Sequence, residues 1–289
     1  MPLDVYVTDT VVALLEDERE RGGPDADLLE RVLGSPIVTL GYHTRPPKPY
    51  RTGFDWRGDL SEMATNDPSS LRALVTDYEH HVTDLALGTP TARAGGYAHL
   101  AELAGSPPLV VGASADGPVQ GPVWDAFAAM GASFFVSHAS GGVSFGDRAG
   151  ALWLRPEHVD LRLIEVFEPA HAAGGCPQAW DSTWADQPEA LLDDALARAC
   201  DATGARAPCV VGVKMHDNDF FACDSAWAVI YAARGVLAAG PPFPLDREAA
   251  LLDGAEQARR WAFYERIVRH AASLADTPPV SIADFAAAR

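Results

Sequence analysis

Cationic side chains are scarce in this chain: 22 Lys and Arg stand against 40 Asp and Glu, a formal charge of −18 at pH 7. Phosphate backbones are held by clustered Lys and Arg, so no nucleic-acid partner is expected. No apolar run reaches the roughly 18 residues of a membrane-spanning helix, and no membrane partner is expected either. The opening stretch Met1-Pro2-Leu3-Asp4-Val5-Tyr6-Val7 lacks a basic segment followed by a long apolar one, so it does not read as a secretory signal. The four cysteines (Cys176, Cys200, Cys209, Cys223) show no Cys-x-x-Cys spacing. They read as reduced thiols of a cytoplasmic protein rather than as zinc or redox groups.

Two common motifs are missing too. Gly95-Gly96 and Gly141-Gly142 do not make a Gly-x-Gly-x-x-Gly fingerprint, and no Gly-Lys-Ser/Thr loop occurs, so nucleotide binding by those routes is not indicated. Internal repeats and low-complexity linkers are absent, and a single domain over residues 1–289 is the simplest reading.

What is present is an alternation of β-type and helical segments in a chain that is 48% hydrophobic. Strands are expected at residues 3–8, 36–41, 109–112, 133–136, 161–167 and 209–215, with a last short one at 279–282. Helices are expected at 24–33, from Asp67-Pro68 to about Gly88, and at 97–103, 124–130, 189–202 and roughly 246–274. Between them, residues 45–56 form a loop rich in Pro and aromatics. Strands separated by helices predict an α/β fold with a mostly parallel sheet. In such folds functional groups gather at the carboxyl ends of strands, and Asp9, His43, His138 and His216 all fall there.

The densest chemistry lies at Val210-Val211-Gly212-Val213-Lys214-Met215-His216-Asp217-Asn218-Asp219, a buried-type strand running into an imidazole, two carboxylates and an amide. His216 reads as a general acid or base whose protonation is set by carboxylates such as Asp217; the plain alternative is a loop His bonded to a turn. Asp9 reads as base or metal ligand, or equally as the N-cap of a following helix. His43 reads as a ligand, or as a His that orders the Pro-rich loop. His138 precedes a Gly pair that makes a turn by itself. His80 and His81 fall beside the apolar stripe of the helix from Asp67 and read as structural; His99 and His270 lack supporting neighbours in sequence. Glu165 and Glu168 form a carboxylate pair of the kind glycosidases use, with Asp217 as a further carboxylate.

With these residues in view, the chain resembles the polysaccharide deacetylase superfamily, distorted (β/α) barrels that remove acetyl groups from sugars, usually with a divalent metal. Val210–Asp217 is similar to the family's late strand ending in a His-Asp pair. His43-Thr44 is similar to its His-Ser/Thr motif, with Pro47 where a second His is usual. Val7-Thr8-Asp9-Thr10 carries one Asp where the family has two. Arg93-Ala94-Gly95-Gly96-Tyr97 loosely echoes the motif that opens with Arg. The resemblance implies Asp9 as base or ligand, His216 as general acid with Asp217 beside it, and a divalent cation such as zinc on Asp9, His43 and a replacement ligand, His138 or Asp219. It implies a small-molecule or oligosaccharide substrate met by Arg93, Tyr50, Phe54 and Trp56. Two rivals stand beside it: a glycosidase-like barrel using Glu165 or Glu168 with Asp217, and a noncatalytic carbohydrate-binding protein on the same fold.

Overall fold

A computed structural model describes residues 2–51, 53–112, 115, 117–136, 161–165, 187–203, 210–214, 220–222, 226–232 and 239–287. Its framework is a parallel four-stranded sheet in the order β1-β2-β5-β6, built from Leu3–Val7, Val38–His43, Val110–Gly112 and Phe134–Val136. The registers run Val7 opposite Tyr42, His43 opposite Gly112, and Gly112 opposite Val136, so the carboxyl ends of the four strands share one edge.

Side chains alternate across the sheet, and each face has its own cluster. Val7, Leu40, Tyr42, Val111 and Phe135 join the main core. Tyr6, Val110 and Phe134 join a smaller one on the other face with Ile282. Gly41 sits where Tyr6 needs the room, since a Cβ there would lie 2.7 Å from the Tyr6 ring. In the main core Tyr97 meets Tyr42 and Phe127 edge-on, and Trp124 stacks on Phe135 at 5.6 Å.

Helix α1 (Asp9–Arg21) follows β1 directly. Its cap is Thr8, whose hydroxyl accepts from the Val11 N–H, and it stops at Gly22 in the left-handed region (φ 64). The N-cap reading of Asp9 is therefore corrected: Asp9 is the first helical residue, and its side chain is directed elsewhere. Helix α2 is shorter than expected, covering Leu28–Leu33. Helix α3 (Leu60–Asn66) precedes α4 (Pro68–Tyr78), which is capped by Asp67, with Pro at its first turn. Hydrogen bonds from Ser70 and Ser69 hold the Asp67 carboxyl below the usual range.

The expected continuation of α4 toward Gly88 does not occur. The chain turns at Glu79 and enters a hairpin of β3 (His81–Thr83) and β4 (Pro90–Ala94), so His81 opens a strand and His80 lies in the turn before it. Val82 and Leu85 fit the helical spacing, but Glu79 is drawn inward by polar partners described below, and that ends the helix. Helix α5 (Gly96–Ala104) and α6 (Gly117–Ala129) complete this part, with α6 packed on α3 and α4.

A second parallel pair, β7 (Leu161–Glu165) and β8 (Val210–Lys214), runs in register from Leu161 opposite Val210 to Glu165 opposite Lys214. Helix α7 (Pro188–Thr203) and α8 (Gly254–Ser273) pack on each other, tied by Arg266 to Glu189 and by His270 to Asp193 at 2.7 Å. A π-helical stretch, Trp227–Ala232, lies between β8 and α8. The expected final strand is replaced by α9 (Ile282–Ala287). Its first N–H donates to Asp4 on β1 at 3.1 Å, which stitches the end of the chain to its beginning. The architecture is mixed α/β with a mostly parallel sheet. Among the described residues no helix is long and apolar enough to cross a membrane.

Candidate functional site

The carboxyl edge of the sheet carries a buried polar network. Asp9 leaves β1 3% exposed, and its Oδ2 accepts from the Thr83 N–H at 2.9 Å. Lys48, fully buried in the loop after β2, lies 3.8 Å from that oxygen. Its ammonium donates to the Tyr42 hydroxyl at 2.6 Å and to Glu79 Oε1 at 2.7 Å. Tyr50 donates to the same Glu79 oxygen, and the Tyr97 N–H donates to Glu79 Oε2 at 3.1 Å. Burial first, then the Glu79 charge, pushes the Tyr42 and Tyr50 phenols well above their ordinary range, so both stay neutral.

Two carboxyl groups, Asp9 and Glu79, thus share the one Lys48 amine in a dry place. Ionised groups are buried in this way only when paired and hydrogen-bonded. Asp9 is half committed: Oδ2 is held twice, whereas Oδ1 makes no hydrogen bond among the described residues.

His43 ends β2, 8% exposed, with its ring against Gly112 on β5. A Cβ at Gly112 would come 3.0 Å from His43 Cδ2. The ring Nδ1 is 2.7 Å from the Thr44 carbonyl. A carbonyl only accepts, so Nδ1 carries a proton and the lone pair of the neutral ring belongs to Nε2. Thr44 is clamped in turn: its N–H and hydroxyl both donate to the Gly112 carbonyl. Arg51 donates to the Thr44 carbonyl at 3.2 Å, and burial next to Arg45 lowers its guanidinium pKa to about 10. An imidazole oriented by a carbonyl through one nitrogen is how ligand histidines are commonly held.

Among the described residues, the aromatics expected at a substrate rim pack inward. Tyr50 is 2% exposed, its hydroxyl committed to Glu79 and its ring edge-on to Tyr78. Phe54 is 0% exposed and packs with Tyr231 and Phe243, and the half-buried Trp56 leans on the same cluster. Arg93 on β4 is held by α1, at 2.7 Å from Asp17 and 3.3 Å from Glu16, and its Nη2 also donates to the Ala13 carbonyl. It ties the hairpin to α1.

The structure thus brings Asp9 and His43 to the ends of neighbouring strands. Glu165 ends β7, beside Lys214 on β8. His138, Glu168, His216, Asp217 and Asp219 lie outside the described residues. Among the described residues, no group of three or more His, Cys, Asp or Glu is arranged to hold a metal ion. Sequence reading missed Lys48 and Glu79. One signal was available: Lys occurs only at positions 48 and 214, every other cation of the 22 being Arg. A compact ammonium with three donors suits a crowded polar pocket that a planar guanidinium does not.

Comparison with family models, with curated proteins and with solved structures finds no match to this chain.

Proposed function

We propose that the chain is a hydrolase of an amide or ester bond on a carbohydrate-like substrate, built on a (β/α) barrel with its site at the carboxyl edge of the sheet. The observation that carries this reading is the placement of Asp9 and His43 just past and at the ends of adjacent parallel strands. They leave adjacent parallel strands, one with an uncommitted carboxylate oxygen and the other with a proton fixed on Nδ1. Asp9 Oδ1 supplies a base or an oxygen ligand, and the His43 ring a nitrogen ligand. That donor pair suits Zn²⁺. His138 is the proposed third ligand. A divalent cation held there supplies Lewis acidity and lowers the pKa of water toward about 7. His216, with Asp217, is the proposed general acid toward the leaving group.

A second reading has its own support. Lys48 and the Thr83 N–H already engage Asp9, as in a network that serves stability, and a noncatalytic carbohydrate-binding protein on the same fold fits that. Metal analysis of the purified protein together with acetate release from N- and O-acetylated sugars separates the two. About one zinc per chain, lost in His43→Ala, and a drop in acetate release of ~10²-fold or more in Asp9→Asn support the hydrolase. Metal-free protein that binds acetylated sugars without releasing acetate leaves the second reading.

A further inference from the structure

An open cavity of about 720 Å³ lies at the β3–β4 hairpin, and neither Asp9 nor His43 lines it. The end of α4, both strands of the hairpin and α5 form its walls. Its size is that of a small-molecule site.

The charge of the lining is one-sided. Asp77 and Glu102 face it, with His80, His81 and His99, and no Lys or Arg is among the lining residues. The nearest strand cation, Arg93, alternates to the opposite face of β4 and is spent on Asp17 and Glu16. The carboxyl end of α4 adds the negative pole of a helix.

The hydrogen-bonding character is one-sided as well. His80 Nδ1 lies 2.7 Å from the Thr76 carbonyl, and His81 Nδ1 lies 2.8 Å from the Asp77 carbonyl. Both carbonyls accept, so each Nδ1 donates and each neutral ring keeps Nε2 as its acceptor. The Thr76 hydroxyl donates to the Arg72 carbonyl. His99 stands between Glu16, 2.8 Å from its Nε2, and Glu102, 3.6 Å from its Nδ1. His99 Nε2 donates to the Glu16 carboxylate, so the acceptors the wall offers are the His80 and His81 Nε2 atoms and the Asp77 and Glu102 carboxylates. Ala73, Ala92, Ala94 and Ala98 give the remaining surface an apolar, shallow relief.

We propose that this cavity binds a small organic ammonium ion. The –NH₃⁺ group brings positive charge and three donors to a wall that offers acceptors, and a short hydrocarbon stem lies on the alanine methyls. Anions are disfavoured by Asp77 and Glu102. A bare metal ion fits poorly, because the volume far exceeds one ion and no three ligating groups converge among the described residues.

Butylamine is the probe and 1-butanol its uncharged counterpart, measured by calorimetry and by long-range ¹H–¹⁵N spectra of the histidine rings at physiological ionic strength. The expected result is one saturable butylammonium site with a Kd of about a millimolar. Shifts should appear at the His80 and His81 Nε2 resonances, and butanol should leave them unmoved. Asp77→Asn with Glu102→Gln should weaken binding tenfold or more, with an unchanged melting temperature. Because the whole chain is acidic, Glu20→Gln with Glu30→Gln serves as the control and should leave the affinity intact. Equal weakening by the control pair, equal binding of butanol, absence of saturation, or one-to-one Zn²⁺ binding tighter than the amine would each overturn the proposal.

Discussion

Lys48 and Glu79 stand 31 positions apart in the chain and 2.7 Å apart in space, neither touching solvent. This ion pair ties the Pro-rich loop after β2 to Glu79, the residue that caps the carboxyl end of α4. Around it the loop, the hairpin, the start of α5 and the first residue of α1 converge.

Removing one member of a buried pair leaves the other uncompensated, at a cost of about 3–5 kcal/mol. Lys48→Met is expected to lose stability on that scale in urea unfolding. The double variant Lys48→Met/Glu79→Gln should recover part of the loss, since its remaining network carries one buried carboxylate instead of two. Equal stability of the single and double variants would contradict the coupling drawn here.

Gly96 has φ +66, and a Cβ on it would lie 2.4 Å from the Glu79 carbonyl carbon. Both features are set by how closely α5 starts against Glu79. Gly96→Ala is expected to cost more than about 1 kcal/mol, seen as a lower urea midpoint at unchanged slope. A midpoint equal to that of the parent protein would refute this.

Asp4 supplies a pH dependence. Burial raises its carboxyl to about 6, against the Ile282 N–H, which lowers it, and with Asp284 adding a smaller push upward. A carboxyl whose folded pKa exceeds its unfolded value of 3.8 binds its proton more tightly when folded. Its contribution to stability is complete below about 3.8 and is lost as pH rises through about 6. The many other carboxylates add their own pH dependence, so the informative quantity is the difference between Asp4→Asn and the parent. That difference should favour the variant more as pH rises across this window. Protection of the Ile282 amide from hydrogen exchange is the local readout, and a pH-independent difference would exclude Asp4 as its source.

The sheet was readable because its strands are dense in β-type residues and end at polar ones: Tyr42-His43 after Leu40, Asp9 after Val7. The hairpin was not, because Val82 and Leu85 continue the spacing of Leu71, Leu74, Val75 and Tyr78, and nothing local reveals that Glu79 is pulled into the core. Thr8 and Asp9 are both good caps; choosing between them requires knowing that Asp9 is taken by Thr83 and Lys48. Tyr50 and Phe54 resemble rim aromatics in sequence, and they turn inward through distant partners, Glu79 for Tyr50 and Tyr231 with Phe243 for Phe54. At the candidate site, Asp9 and His43 were visible as strand-end residues, whereas Lys48 and Glu79 depend on a contact across 31 positions.

Sealing Lys48 has a consequence for the covalent chemistry of this protein. Of the two lysines in the chain, the one at position 48 offers no surface to a reagent while the fold is intact. Amine-directed acylation can reach it only through an opening of the core, so its modification tracks unfolding rather than surface accessibility. A chain with 22 cationic side chains therefore presents, to an acylating reagent, an exterior nearly empty of side-chain amines.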